Sequence, residues 1–164
     1  MQSHTALTPQ QTLAAMLDQH RPQRLLIISA SPVPAIDAHQ QASPECELFT
    51  ASPGPLTPEL SAKRYDLAIL GDCLEHLPKA QGLQLLAGIR NLNANKVALL
   101  IDLQAGDWLA TDFYALGMQA KERFERDGQA LHLFTYDLMD YKQVPDWLNA
   151  KFWANPQLFG KYWW

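Results

Sequence analysis

The sequence predicts one small α/β domain with a mostly parallel sheet, helices on both faces and an antiparallel hairpin at its C-terminal edge. Three apolar, partly β-branched runs have the length of buried strands, and they occupy 24–31, 65–72 and 96–102. Apolar residues at helical spacing separate the last two runs, which predicts a parallel, right-handed strand–helix–strand unit. Asp127 and Gly128 then form a dipeptide suited to a tight hairpin turn.

The length bounds the number of domains. The 164 residues suit one domain that buries its own core, and a second independent domain would not fit. We therefore expect a single domain over 1–164. Its core lies at about 8–137, and a tail at 138–164 packs on this core or extends from it.

The N-terminal residues mark the first helix. Thr8 is a capping residue, Pro9 suits the first helical position and Gln11 completes a capping box, so we predict a helix over 9–19. Pro22 disfavours helix at the residue before it, and the first strand follows.

Prolines limit the next elements. Three prolines between 32 and 44 leave room only for a short helix at 35–41, before a second strand at 46–51. Three more prolines and a glycine fall within 52–58, and this composition predicts a loop that crosses one end of the sheet.

Pro78 opens the helix of the strand–helix–strand unit. Its apolar residues at helical spacing are Leu85, Leu86, Ile89 and Leu92. Asparagines at its end lead into the strand at 96–102, and another helix is predicted near 108–116.

The hairpin pairs 118–125 with 129–136. Its first arm is charged, as an exposed edge strand is, whereas the second arm is apolar enough to lie inside the sheet. His132 lies in the apolar arm, where a hydrogen-bonded core histidine is commoner than a catalytic one.

Aromatic residues crowd the end of the chain. Seven of them fall in the last eighteen residues: Trp147, Phe152, Trp153, Phe159, Tyr162, Trp163 and Trp164. Two interpretations stay open. The tail packs over the sheet and completes the core, or it presents a surface for a protein partner, including a second copy in a symmetric dimer.

Composition narrows the class of protein. A net charge of −4 without clustered lysines and arginines argues against binding to nucleic acid, and the apolar runs are too short to cross a membrane. Cys46 and Cys73 stand far apart without neighbouring ligands, so they suit reduced thiols. The start of the sequence has no secretory pattern, and we expect a cytoplasmic protein.

A family resemblance rests on the segment 65–78, which reads YDLAILGDCLEHLP. An aspartate-containing strand followed by Leu-Glu-His resembles the fourth strand and turn of class I S-adenosylmethionine (SAM)-dependent methyltransferases. The order of elements over 8–137 is also similar to that family. The resemblance implies a Rossmann-like, methyltransferase-type sheet and SAM as a cofactor, and it implies relatives that are uncharacterised bacterial proteins.

The sequence departs from the family's pattern in three places. The turn after the first strand, 29–34, reads SASPVP and lacks the family's glycines and acid. The second strand ends Phe49-Thr50-Ala51, without the acid that the family places there for the ribose hydroxyls. Residues 52–64 are too few for a further strand and helix, so we expect a shortened sheet of about six strands.

The candidate site follows from the carboxyl ends of the strands, where open α/β sheets bind ligands. This rule brings five residues to one rim: Ser29, Ser31, Thr50, Asp72 and Asp102. By resemblance, the cofactor would contact Ser29, Ser31, Thr50 and Asp72. Asp72, Glu75 and His76 are the candidate catalytic groups, because carboxylates and an imidazole serve as general base and acid.

A structural alternative exists for the same three groups. His76 would cap the helix near Pro78, and the two acids would accept hydrogen bonds from backbone donors in the same turn. A metal site is not predicted, because the spacing of Asp72, Glu75 and His76 matches no recognised ligand pattern.

Two functions remain open at this point. The first is a degenerate methyltransferase-fold protein that lost the cofactor and serves as a non-catalytic binding or assembly module. The second is a SAM-dependent methyltransferase that acts on a small molecule. The proline-containing first turn and the aromatic tail favour the first function, whereas 65–78 favours the second.

Overall fold

A computed structural model describes residues 8–126 and 128–138 and gives them an α/β fold with one mixed sheet of six strands. The strands are β1 (Arg24–Ile28), β2 (Glu47–Ala51), β3 (Leu67–Leu70), β4 (Lys96–Ile101), β5 (Gln119–Arg126) and β6 (Gln129–Asp137). The helices are α1 (Pro9–His20), α2 (Pro34–Ala42), α3 (Pro58–Ser61), α4 (Lys79–Gly88) and α5 (Ala110–Tyr114). Short 3₁₀ turns at Leu74–His76 and Leu103–Ala105 and a π-turn at Ile89–Asn93 complete the described elements. The predicted fold class and the six-stranded sheet are confirmed.

The strand order is β2-β1-β3-β4-β6-β5. The first four strands pair in parallel, and β6 joins β4 antiparallel. The chain moves from β1 to one side, into β2, and then crosses to β3 on the other side. The order therefore reverses between β1 and β3, which is the kind of place where α/β sheets bind ligands.

The hairpin lies as the sequence predicts. The charged strand β5 forms the edge, and the apolar strand β6 lies between β5 and β4. In β6, Leu131, Leu133 and Phe134 are fully buried. The charged side chains of β5 suit an edge because they discourage pairing with another sheet.

Two hydrophobic layers cover the two faces of the sheet. On one face, Leu25, Ile27 and Leu67 pack beneath α1 and α2. On the other face, the alternate residues of the same strands pack against α4, α5 and the buried Trp108. Alternation of side chains along each strand puts consecutive apolar residues into opposite layers, so strands buried on both faces need nearly continuous apolar runs.

The capping box of α1 forms as predicted. Thr8 Oγ1 accepts from Gln11 N at 3.1 Å, and Gln11 Oε1 accepts from Thr8 N at 2.9 Å. The next side chain, Gln10, is fully buried and accepts a hydrogen bond from Ala35 N at 3.0 Å, which ties α1 to the start of α2.

The structure corrects the prediction in two places. Residues 58–61, within and just after the predicted loop, form the short helix α3, whose first turn Thr57 caps. Leu92 does not continue the buried face of α4, because the chain changes to a π-turn at Ile89 and leaves the Leu92 side chain 68% exposed. Asp127 and the aromatic tail, at 139–164, lie outside the described residues.

Candidate functional site

The candidate site lies at the carboxyl ends of β1 and β3, where the strand order reverses. Three backbone hydrogen bonds hold the strand ends together: Ser29 N donates to Ala51 O, Ala30 N to Asp72 O and Gly71 N to Ile28 O, at 3.0–3.2 Å. These bonds extend the ladder beyond the last paired residues. The loops that leave β1 and β3 are therefore joined to each other at their bases.

The Asp72 carboxylate is the centre of the polar network at this rim. Ser31 Oγ donates to Asp72 Oδ2 at 2.6 Å, and His76 Nε2 lies 2.7 Å from Asp72 Oδ1. Both carboxylate oxygens thus have a partner, one from each side of the crevice. The Asp72 side chain is 22% exposed and that of His76 is 48% exposed, so solvent reaches the network.

The backbone at Asp72 is in the left-handed region, with φ of 45°. Aspartate enters this region more readily than most residues, but the conformation still costs energy and is concentrated at turns and functional sites. Here Asp72 lies two residues after the end of β3, and its carboxylate accepts a hydrogen bond from Ser31 across the crevice.

Glu75 lies beneath the network in the turn Leu74–His76. Its Oε2 accepts a hydrogen bond from Asp102 N at 2.9 Å, which links the ends of β3 and β4. Burial raises the pKa of this carboxyl, against the lowering effect of its backbone hydrogen bonds. Its other oxygen is buried and has no hydrogen-bond partner among the described residues.

The thiol beside these acids is not a nucleophile at neutral pH. Burial, followed by the charges of Glu75 and Asp72, raises the pKa of Cys73 to about 12. Nucleophilic cysteines need the thiolate, which this environment disfavours.

The rim brings together most of the residues that the sequence selects. Ser29, Ser31, Asp72 and His76 are joined by hydrogen bonds, because Ser29 Oγ also donates to Ser31 O at 2.8 Å. Asp102 belongs to the same rim through Glu75. Thr50 stands apart: it is exposed, in register with Ile27, and lies on the α1–α2 side of the sheet.

The structural alternative for the three candidate catalytic groups holds only in part. Glu75 accepts hydrogen bonds from backbone donors, from Asp102 N at 2.9 Å and from within its own turn. His76 does not cap α4, whose N-cap is Pro78 without a side-chain hydrogen bond. Its imidazole pairs with Asp72 instead.

Two residues of the hairpin reach this end of the sheet without having been selected from the sequence. Gln129 Nε2 donates to Asp102 Oδ2 at 3.3 Å. His132 is in register with Ile101, at the end of β4, and burial and then the charge of Arg123 lower its pKa. Its Nδ1 is buried without a partner among the described residues, so it is not the hydrogen-bonded core histidine that the sequence favoured. The antiparallel register of β4 and β6 is the signal that would have placed both residues here.

The first turn does not fit SAM. The N–H groups of Ser29, Ala30 and Ser31 already have protein acceptors, and the acceptor for Ser31 N is Ser29 Oγ at 3.2 Å. Pro32 and Pro34 have no N–H to donate. No glycine opens this turn, and no acid ends β2. The first turn and the end of β2 thus lack the free donors and the acids that a SAM cradle of the expected kind would supply.

Other site classes find no support in the described part of the chain. Within 8–126 and 128–138, no three His, Cys, Asp or Glu side chains are grouped so that they could hold a metal ion. None of the helices in these ranges combines the length and the apolar composition that crossing a membrane requires.

Solved structures place this fold in a known class. A putative O-methyltransferase from Nostoc punctiforme is similar over 77% of this chain, at 18% identity and a TM-score of 0.56. This chain covers 55% of the length of that protein. A second similar structure is magnesium protoporphyrin IX methyltransferase from Synechocystis, solved with bound SAM. The alignment covers 76% of this chain and 74% of the length of that protein, at 13% identity and a TM-score of 0.51.

This chain covers almost the whole length of a third similar structure. The methyltransferase domain of bacterial CtHen1 is covered to 97%, over 79% of this chain, at 10% identity and a TM-score of 0.51. The chain therefore has the fold of SAM-dependent methyltransferases, and the predicted resemblance is confirmed at the level of the fold.

The family itself is shown by sequence. A model of the family of unknown function DUF6231 matches residues 7–164, and the chain belongs to that family. Among curated proteins none matches this sequence.

Proposed function

We propose that this chain is a methyltransferase-fold protein that does not bind SAM and acts as a non-catalytic binding or assembly module. The hydrogen bond from Ser31 Oγ to Asp72 Oδ2, at 2.6 Å, carries the proposal because it crosses the crevice at the switch point. A ligand that entered between β1 and β3 would have to break this charge-assisted bond first.

The first turn supports the same proposal. A polar ligand loses its hydrogen bonds to water on entering a crevice, and each bond that the protein does not replace costs about 1–3 kcal/mol. The N–H groups of Ser29, Ala30 and Ser31 are already hydrogen-bonded, and two prolines follow. The turn therefore has few free donors to replace the hydrogen bonds that a ligand would lose.

Calorimetric titration of the full chain with SAM and with S-adenosylhomocysteine tests the proposal. We expect no heat of binding for either compound at millimolar concentration. A SAM-binding methyltransferase titrated in the same buffer is the positive control. Micromolar binding of either compound would refute the proposal.

Thermal unfolding gives an independent check of the same point. A ligand at one hundred times its dissociation constant stabilises the folded state by about 2.7 kcal/mol. For a chain of this size each kcal/mol raises the Tm by roughly 2–4 °C, so binding would shift the Tm by roughly 5–10 °C. We expect the Tm to stay unchanged.

A second candidate function is methyl transfer to a small molecule. It is favoured by the left-handed backbone of Asp72 and by the pairing of its carboxylate with an imidazole at the switch point. If micromolar SAM binding were found, D72N, E75Q and H76Q would be the first variants, each compared in substrate screens with the wild type.

The partner of a binding module is a separate part of the proposal. The seven aromatic residues at 147–164 support either a protein partner or a symmetric dimer. Light scattering of the full chain over a range of concentrations tests the dimer: a mass of twice 18.5 kDa is the expected sign of self-assembly.

A further inference from the structure

An apolar cavity lies beside the C-terminal half of α4. Its volume is about 320 Å³, and it opens between the connection from β2 to β3 and the end of α4. The apolar part of its lining consists of Pro55, Leu56, Leu85, Ile89 and Leu92. A space of this size would hold on the order of ten water molecules, which apolar walls cannot hydrogen-bond.

The mouth of this cavity is neutral and carries amide groups. The exposed residues Gln81 and Gln84 supply them, and the third amide of the lining, Asn93, is buried. None of the described residues that line the cavity is charged. Leu92 stands at this mouth with 68% of its surface exposed, as a consequence of the π-turn. An apolar interior with amide oxygens at its mouth suits an indole, whose ring is apolar and whose N–H needs an acceptor.

The described chain ends close to this mouth. Leu138 N donates to Asn95 O at 3.0 Å, and Asn95 follows Leu92 by three residues. At about 3.5 Å per residue and about 5 Å between paired strands, Leu138 lies within roughly 15 Å of Leu92. The segment 147–164 begins nine residues further on, a distance of up to about 30 Å when extended, so it can reach the cavity.

A second cavity offers a comparison. It has a volume of about 510 Å³ and lies at the amino end of β1, where Asp18, Arg21 and Glu45 contribute to its lining. Charged groups in such a lining would lose water without gaining a partner if an aromatic ring filled it. The chemistry of the tail therefore matches the neutral cavity and not the charged one.

We propose that the aromatic segment 147–164 docks in the cavity beside Leu92 of the same chain. Docking covers the exposed Leu92 side chain and gives at least one tryptophan an apolar site with an amide acceptor. It also means that a protein partner of the tail has to displace it from the core. The proposal does not depend on whether the rim binds SAM, so either can fail without the other.

Limited proteolysis of the full chain tests the docking. Chymotrypsin cleaves after aromatic residues, and mass spectrometry locates each cut. L92D places a charge at the cavity mouth, and L109D is the matched control because Leu109 is 61% exposed and lies at the start of α5, away from the cavity. Since cleavage follows the population of the open form, we expect L92D to raise cleavage within 147–164 about tenfold and L109D to leave it unchanged.

Filling the cavity from within separates docking from a general loss of stability. Gly88 lines the cavity, and a Cβ built there meets no atom within 4 Å. G88F should therefore occupy the cavity and release the tail to chymotrypsin without lowering the Tm of the core. Rapid cleavage of the wild-type tail would overturn the proposal. So would tails in L92D and G88F that are as well protected from chymotrypsin as the tail of the wild type.

The same digestion identifies the chain that supplies the tail. Docking within one chain predicts a monomer by light scattering and protection that does not change with protein concentration. Protection that disappears on dilution would show that a second copy provides the segment, and that result would overturn docking within one chain.

Discussion

Two glycines of α4 should respond to the same substitution with opposite signs. Gly82 is buried, and a Cβ built there would lie 2.6 Å from Trp108 Cζ2 and 3.3 Å from Leu74 Cδ2. Trp108 cannot easily move aside, because it is 3% exposed and stacks on Phe113 with ring centroids 5.3 Å apart. At Gly88, in the same helix, nothing lies within 4 Å of the added carbon.

The magnitudes follow from two opposing effects. Replacing an interior helical glycine by alanine stabilises a helix by up to about 1 kcal/mol. Forcing an extra methyl group into a packed core costs about 1–3 kcal/mol. We therefore expect G88A to stabilise the fold by about 0.5–1 kcal/mol and G82A to destabilise it by about 1 kcal/mol, with up to about 2 kcal/mol as the upper limit.

Urea denaturation of both variants, followed by circular dichroism, measures this difference. Because the two sites share one helix, a general change in helix stability would move both midpoints in the same direction. Stabilisation by G82A equal to that by G88A would refute the packing of Gly82 against Trp108. The double variant G82A/W108F should recover part of the loss if the indole ring is the obstacle.

Three further changes test other contacts. Asn93→Ala should cost about 1–3 kcal/mol in urea denaturation, because its buried amide donates to two backbone carbonyls at 2.8–2.9 Å, whereas exposed Asn91→Ala should stay within about 0.5 kcal/mol. Burial lowers the pKa of His132, so the wild type should lose stability as pH falls below about 6.5, and H132L should lose less between about pH 7.5 and pH 5.5. Burial raises the pKa of Glu75 in the folded state. The stability that its protonated carboxyl provides is therefore complete below about pH 4.3 and is lost as the pH rises through the folded-state pKa. The free energy of unfolding of E75Q should accordingly increase relative to that of the wild type from about pH 4 to pH 7. Equal pH profiles for wild type and variant would contradict either of the last two.

The sequence was sufficient for the order and the type of the main elements. The charged residues in 119–126 and their absence from 129–136 distinguished an edge strand from an interior one, because burial decides which residues each position tolerates. Thr8 and Pro9 predicted where α1 begins, since capping acts within one turn of the chain. Such local signals need no knowledge of the rest of the fold.

The details that define the site could not be predicted in the same way. The Ser31–Asp72 hydrogen bond joins residues 41 apart in sequence, and its geometry depends on the left-handed backbone of Asp72. The change from α4 to a π-turn likewise exposes Leu92 against its helical spacing. Both features follow from how neighbouring elements meet and not from the residues of one element.

The fold and the rim are stabilised by different groups, and this separation limits what the likeness to methyltransferases implies. The two hydrophobic layers consist of apolar side chains between the sheet and its helices, and neither includes Ser29, Ser31 or Asp72. Substitutions at the rim therefore remove no contact from either layer, and the sheet keeps its strand order whether or not the first turn can hold a cofactor. Titration of the full chain with SAM and with S-adenosylhomocysteine therefore tests the chemistry of the rim separately from the packing that stabilises the fold.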